Sequence, residues 1–188
     1  MSTLQIAAWV ELSICWIAWT LAFVKPRKRA EGATKTERAP ASRWGILLVM
    51  FGYACIWAFV RPVGFEKSAA SLVASMVLGP PSVVLVWMAA RHLDKQWRFE
   101  AALSEDHELI TTGPYRWLRN PIYASMLGML LATGFAKSWW PLIVAGVIFF
   151  VIGTEIRVRA EEKLLAARFG EEFARYKATT PAYFPFIR

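Results

Sequence analysis

Long uncharged runs alternate with charged connections along this chain. Leu4 to Val24, Trp44 to Val60, Ser68 to Ala90, Pro121 to Ala136 and Ser138 to Thr154 are nearly free of charge, at 21, 17, 23, 16 and 17 residues. A hydrocarbon core of about 30 Å takes roughly 17 to 25 helical residues, so the first three runs predict membrane spans on length alone. If Pro121 to Thr154 formed one helix it would be roughly 50 Å long, too long for one crossing. Gly134, Lys137 and Pro141 supply a turn, and a helical hairpin is expected there. Beyond Thr154 the apolar positions Val158, Leu164, Leu165, Phe169, Phe173 and Tyr176 recur at roughly helical spacing with charges between them. This predicts that the last span continues as a cytoplasmic helix, with Gly170 an imperfection but not a stop.

The expected fold is therefore an all-α polytopic membrane protein of about five transmembrane helices, the last two a hairpin, ending in a C-terminal cytoplasmic helix. Residues 1–90 hold three spans and a basic loop at 25–43, and residues 91–188 hold two spans and the polar segments that carry chemistry. Composition agrees. Of 188 residues, 56% are hydrophobic and only 19% charged, more apolar side chain than a soluble domain of this size buries. The first run has its Lys/Arg cluster after it and no basic flank before it, the pattern of a retained helix.

The net charge of +8, from 22 Lys and Arg against 14 Asp and Glu, first suggests an anionic partner. Its distribution gives another reading. Residues 25–43, 91–120 and 155–188 carry seven, five and seven basic residues, whereas the opposite connections hold only Arg61, Lys67 and Lys137. The positive-inside rule then places the amino terminus outside and the carboxyl terminus in the cytoplasm. The charge is spent on orientation, no recognition motif accompanies it, and nucleic acid is not an expected partner; membrane lipid is. Trp44, Trp57, Trp139 and Trp140 stand where interfacial anchors belong. Glu11 lies within the first span and is expected to pair with another helix. Cys15 and Cys55 read as packing residues, and Gly79-Pro80-Pro81 predicts a kink or break in the third span.

Two local patterns bear on function. Thr111-Thr112-Gly113-Pro114-Tyr115 is a turn cluster shortly before Arg119-Asn120-Pro121, which predicts a helix starting at Pro121 with Asn120 as its N-cap, at the cytoplasmic surface. The unpaired N–H groups and positive dipole of such an end suit a carboxylate. Arg157 and Glu161 are four residues apart on one helix face, either an exposed ion pair of about 0.3 to 0.5 kcal/mol or a functional pair. The two histidines and scattered carboxylates show no metal-ligand spacing, so no metal is expected.

These residues carry a resemblance. Arg91-His92-Leu93, His107 through Tyr115, Arg119-Asn120-Pro121-Ile122-Tyr123, Arg157, Glu161-Glu162, Phe169 through Phe173 and Pro181 to Pro185 resemble, in order, the isoprenylcysteine carboxyl methyltransferase family, over about the last hundred residues. The family signature Arg-His-Pro-x-Tyr-x-Gly appears with Asn120 for His and Ser125 for Gly. The resemblance implies an integral membrane enzyme that binds S-adenosylmethionine on the cytoplasmic side without a dinucleotide-binding fold. It implies cofactor contacts at His107, Glu108, Leu109 and Ile110, at Tyr115, at Asn120, Pro121, Ile122 and Tyr123, and at Glu161. Arg157 corresponds to the substrate-binding arginine, and Arg157 and Arg119 are the candidates for catalysis. The expected acceptor is the carboxylate of an isoprenylcysteine or other lipophilic acid. The alternatives are a phospholipid or other lipid amine N-methyltransferase and an inactive interaction protein on the same scaffold.

Overall fold

The computed structural model describes residues 2–24, 37–38, 42–58, 66–93, 102–103 and 109–183. Five helices dominate: α1 (Thr3–Val24), α2 (Ser42–Trp57), α3 (Ala69–Leu93), α4 (Pro121–Lys137) and α5 (Trp140–Thr179). Each expected run forms a helix. α1, α3 and α5 are long and apolar enough to cross a membrane; α2 and α4, at 16 and 17 residues, are shorter. The chain departs from all-helical structure at a two-residue antiparallel ladder pairing Glu37 with Leu103 and Arg38 with Ala102. That ladder joins the basic loop to the segment after α3.

α4 is the centre of the bundle. On one side Met129, Ala132 and Ala136 pack with Leu12 and Cys15 of α1; on the other Leu130 packs with Val49 and Ile56 of α2 and Phe150 of α5. The outer faces remain apolar, with Ile14 59%, Ile17 62%, Met50 63% and Val77 63% exposed, which in water would be an untenable continuous patch and in lipid is the ordinary exterior. Trp44 and Trp140 also face outward, at 69% and 66% exposure, in keeping with anchor positions.

α2 and α5 approach closely because two glycines on each meet. A Cβ at Gly45 would lie 2.6 Å from the Gly153 carbonyl oxygen, and one at Gly52 would lie 2.7 Å from that of Gly146. The seven-residue spacing on both helices lets one seam run antiparallel through both pairs, the small-residue contact that substitutes for hydrophobic driving force within lipid. The hairpin between α4 and α5 forms as expected, but the main packing partner of α5 is α2, and that of α4 is α3.

Two expectations about breaks are corrected. α3 is continuous through Pro80 and Pro81, so the alternative of a break is not met; both prolines lie on its exposed face. Gly170 does interrupt α5: its backbone adopts φ 48° and ψ −119°, dividing the helix into 140–169 and 171–179. Nothing lies within 4 Å of a Cβ built there, so the demand is conformational, a left-handed backbone that only glycine adopts cheaply.

Two of the three exceptions to the expected positive-inside pattern have local uses, and the third, Arg61, lies outside the described residues. Lys67 donates to the carbonyls of Gly134 (3.1 Å) and Ser138 (2.5 Å) at the end of α4. Lys137 donates to Trp57 at the end of α2 over 2.8 Å and lies 4.9 Å from the centroid of its ring. Both ammonium groups satisfy carbonyls at helix C-termini, where the dipole favours positive charge. Glu11 reaches α3, its Oε1 lying 3.7 Å from where a Cβ at Gly79 would stand.

Candidate active site

The site is assembled where the start of α4 meets the C-terminal half of α5. The chain enters α4 through a 3-10 turn, Gly113–Arg116. Gly113 has φ +60°, and a Cβ there would fall 2.2 Å from Nε2 of His92. The imidazole at the end of α3, held through Nδ1 at 2.8 Å from the Met88 carbonyl, thus occupies the space a side chain would need. Tyr115 is buried, and its carbonyl accepts a 2.6 Å hydrogen bond from the hydroxyl of Tyr176. Burial pushes the Tyr176 phenol up to about 12 against the opposing charge of Arg119.

Asn120 and Pro121 take the N-cap and first helical positions, but the Asn120 side chain makes no cap bond. Its amide instead donates to the Ala182 carbonyl at 3.1 Å, beside its own backbone N–H at 3.0 Å. With the Arg119 N–H on the Pro181 carbonyl at 2.9 Å, these bonds fasten residues 180–182 across the start of α4. The second departure from the family signature is accommodated similarly: Ser125 is fully buried, accepts from Trp19 Nε1 at 3.3 Å and donates to the Ile122 carbonyl at 2.8 Å.

Two charged clusters follow on adjacent residues of α5. In the first, Arg157 Nε donates to the Tyr123 hydroxyl at 2.7 Å, that hydroxyl donates to Glu161 Oε1 at 2.7 Å, and Arg157 Nη2 lies 3.4 Å from the same oxygen. Arg157 is 7% exposed, so it is not the surface partner that i,i+4 spacing alone allows. The Glu161 side chain retains 28% exposure. Burial raises the pKa of Glu161 against the pull of Arg157 and the Tyr123 hydroxyl, and the nearby charge of Glu162 adds to the rise.

In the second cluster Glu162 accepts from Arg119 Nη2 at 2.8 Å and from Lys177 Nζ at 2.7 Å. Arg119 Nη1 donates to the carbonyls of Lys177 (2.9 Å) and Thr180. Burial alone would raise the pKa of Glu162; the hydrogen bonds from Lys177 and Arg119, with their charges, more than reverse this and hold it below the ordinary carboxylate value.

The structure thus brings together Tyr123, Arg157 and Glu161, with Asn120, Pro121 and Ile122 leading into α4 beside them. Leu109 and Ile110 are half-buried. Arg119 is not in this cluster; its Nη groups are engaged by Glu162 and the C-terminal carbonyls. His107 and Glu108 lie outside the described residues. Glu162 and residues 181–183 entered the sequence reading only through the resemblance and Tyr176 only as an apolar helix position; their pairing at the site, with Lys177, was not expected, because contacts across 15 to 61 residues leave no periodic signal. The four glycines of the α2–α5 seam did carry one, their matched seven-residue spacing.

S-adenosylmethionine would need an acceptor for its ammonium and donors for its carboxylate. Among the described residues Oε2 of the part-exposed Glu161 makes no hydrogen bond, and no side chain caps the first turn of α4, leaving backbone donors at Ile122 and Tyr123. The residues present fit the group.

Comparison with known proteins bears on the family. The family model for phospholipid methyltransferases matches residues 70–172, from the start of α3 past Gly170. An 82-residue stretch is 34% identical to the cobalt-zinc-cadmium resistance protein CzcN of Cupriavidus metallidurans, covering 43% of this chain and 37% of that protein. A 78-residue stretch is 33% identical to the nickel-cobalt-cadmium resistance protein NccN of Alcaligenes xylosoxydans xylosoxydans, covering 42% and 36%. The matched stretches span little more than a third of the length of these curated relatives. Together with the Tyr123, Arg157 and Glu161 cluster inside the matched region, these findings lead to one assignment: the chain belongs to the phospholipid methyltransferase family, within the isoprenylcysteine carboxyl methyltransferase-like group of integral membrane methyltransferases.

Proposed function

We propose that this protein is a five-span methyltransferase, amino terminus outside and active site cytoplasmic, that esterifies the carboxylate of an isoprenylcysteine or other lipophilic acid. One observation carries the reading: a buried guanidinium and a part-exposed carboxylate, Arg157 and Glu161, share the Tyr123 hydroxyl at the boundary between apolar bundle and polar surface. Glu161 would hold the cofactor's ammonium, and the first turn of α4 its carboxylate. S-adenosylmethionine, when bound, supplies a methyl group on cationic sulfur, and its transfer to a carboxylate oxygen leaves a neutral thioether and a neutral ester.

No proton has to move in this reaction, so the chain's task is orientation and exclusion of water. Arg157 would hold the acceptor's carboxylate by a charge-assisted contact. The Tyr123 bond to Nε and the charge of Glu161 keep its fork in one orientation and temper its positive charge, so that the nucleophile is positioned without being neutralised. Arg119 acts one layer out, fixing the C-terminal segment against the start of α4. A lipophilic tail would enter sideways between helices while the polar cofactor arrives from the aqueous side. The second reading, methylation of a phospholipid amine, is favoured by the matched family; it requires a proton to leave the acceptor, for which Glu161, with its raised pKa, is the nearest base.

Detergent-purified protein with labelled S-adenosylmethionine separates the readings. Transfer to a farnesylcysteine analogue or free lipophilic acid, released by mild base, is expected. Base-stable transfer to phosphatidylethanolamine alone would replace the first reading by the second, and no binding of the cofactor or its demethylated product would end both.

A further inference from the structure

Hydroxyl side chains on apolar helices commonly satisfy themselves by bonding the carbonyl four residues back. Ser13, Thr20, Ser82 and Thr133 do so, on Trp9, Trp16, Leu78 and Met129 at 2.7 to 2.8 Å. Ser42 and Thr154 do not. They are 4% and 2% exposed, and among the described residues neither hydroxyl oxygen has a hydrogen-bond partner.

Helix register places both within about a turn of Arg157 or of the point where α2 crosses it. Thr154 precedes it by three residues on the same face of α5. Ser42 precedes Gly45 by three on α2, and a Cβ at Gly45 would stand 2.6 Å from Arg157 Cγ. The helices run antiparallel, so one hydroxyl lies about a turn to either side of the point where α2 crosses the arginine stem. A buried hydroxyl without a partner weakens the folded state. Two of them, on the two helices that meet at a buried guanidinium, make a set of donors suited to one class of ligand, an oxyanion on a lipophilic body.

We propose that Ser42 and Thr154 donate to the anionic head of the acceptor and complete, with Arg157, an acceptor subsite. α2 thereby contributes to recognition although it lies outside the region matched by the family. The inference rests on the reading of Arg157 as the acceptor's anchor.

The test is binding of N-acetyl-S-farnesylcysteine to the full chain in detergent, beside its methyl ester and a short-chain phosphatidic acid. The acid is expected to bind and the ester not. Ser42→Ala and Thr154→Val should each weaken the acid about fivefold, the size of one hydrogen bond, leave affinity for the demethylated cofactor unchanged, and raise the thermal midpoint of the ligand-free protein. Variants that bind the acid as the original does overturn the subsite while leaving the Arg157 reading intact. Acid affinity indifferent to Arg157→Ala overturns the reading beneath it. If phosphatidic acid binds in place of the farnesylated acid and loses affinity in both hydroxyl variants, the subsite stands and the carboxylate assignment falls.

Discussion

Arg119 and Glu162, 43 residues apart, form a buried ion pair at 2.8 Å with side chains only 4% and 9% exposed. The pair joins the start of α4 to α5, and Arg119 also binds the carbonyls of Lys177 and Thr180, so a single guanidinium ties together three segments around the site. Removing Glu162 strands the Arg119 guanidinium away from water, whereas removing Arg119 leaves Glu162 its bond to Lys177. Glu162→Ala is therefore expected to cost about 3 to 5 kcal/mol and Arg119→Ala less, measured by thermal unfolding in detergent. In a double-mutant cycle the two losses should be far from additive, because Arg119→Ala removes the charge that Glu162→Ala strands. Additive losses would show that the pair is not the connection described.

Adjacent glutamates should respond to pH in opposite senses. Glu162 is depressed in the folded state, so it contributes stability that is fully present above the ordinary carboxylate value of about 4.3 and is lost as pH falls through its lower folded value. Glu161 is raised, so its ionisation works against the fold above that same value. Glu162→Gln should lower stability at neutral pH and flatten the acid limb of the unfolding curve. Glu161→Gln should cost much less stability while weakening cofactor binding. Equal destabilisation by the two substitutions, in unfolding curves between pH 3 and 7, would contradict the two environments.

The α2–α5 seam makes a steric prediction. A Cβ at Gly153 would stand 2.6 Å from the Gly45 carbonyl oxygen and 2.8 Å from both Leu48 Cβ and the Val49 nitrogen. Two of these three neighbours are backbone and cannot turn aside. Gly153→Ala should cost about 1 to 3 kcal/mol by overpacking, and Gly153→Leu should separate the helices. Gly170→Ala meets no atom within 4 Å, so its smaller loss comes from the left-handed backbone alone. Thermal midpoints rank the three; a Gly170 variant less stable than Gly153→Leu would invert the argument.

How much of this was legible depended on range. Charge-free runs gave all five helices, because span length and local hydrophobicity are properties of contiguous residues. The Arg157 to Glu161 spacing placed both on one face, and the turn before Pro121 placed the start of α4. Sequence could not show that Arg157 is buried, since burial comes from α2 crossing it at Gly45, nor that Arg119 belongs to Glu162. Asn120 was legible as an N-cap position but not as a donor to Ala182, a residue 62 positions away. Pro80 and Pro81 do not end α3, and both stand on its exposed face, away from the packing surfaces.

Ser125 offers a sharp test of how the chain tolerates departure from the family signature. Its hydroxyl accepts from Trp19 Nε1 of α1 and donates to the Ile122 carbonyl within α4. Trp19 also packs edge to face on Phe23, with centroids 4.8 Å apart, so the indole is held from two directions. Ser125→Gly restores the signature residue but removes the acceptor, adds backbone freedom within a helix, and leaves a part-buried indole N–H unpaired. The expected loss is about 1 to 3 kcal/mol, with a shift in tryptophan fluorescence as the indole loses its partner. Ser125→Ala avoids the glycine flexibility and isolates the hydrogen bond. Should Ser125→Ala keep the original stability and emission, Trp19 would be held by packing alone, and the serine would have to be explained by its bond to Ile122 in the first turn of α4.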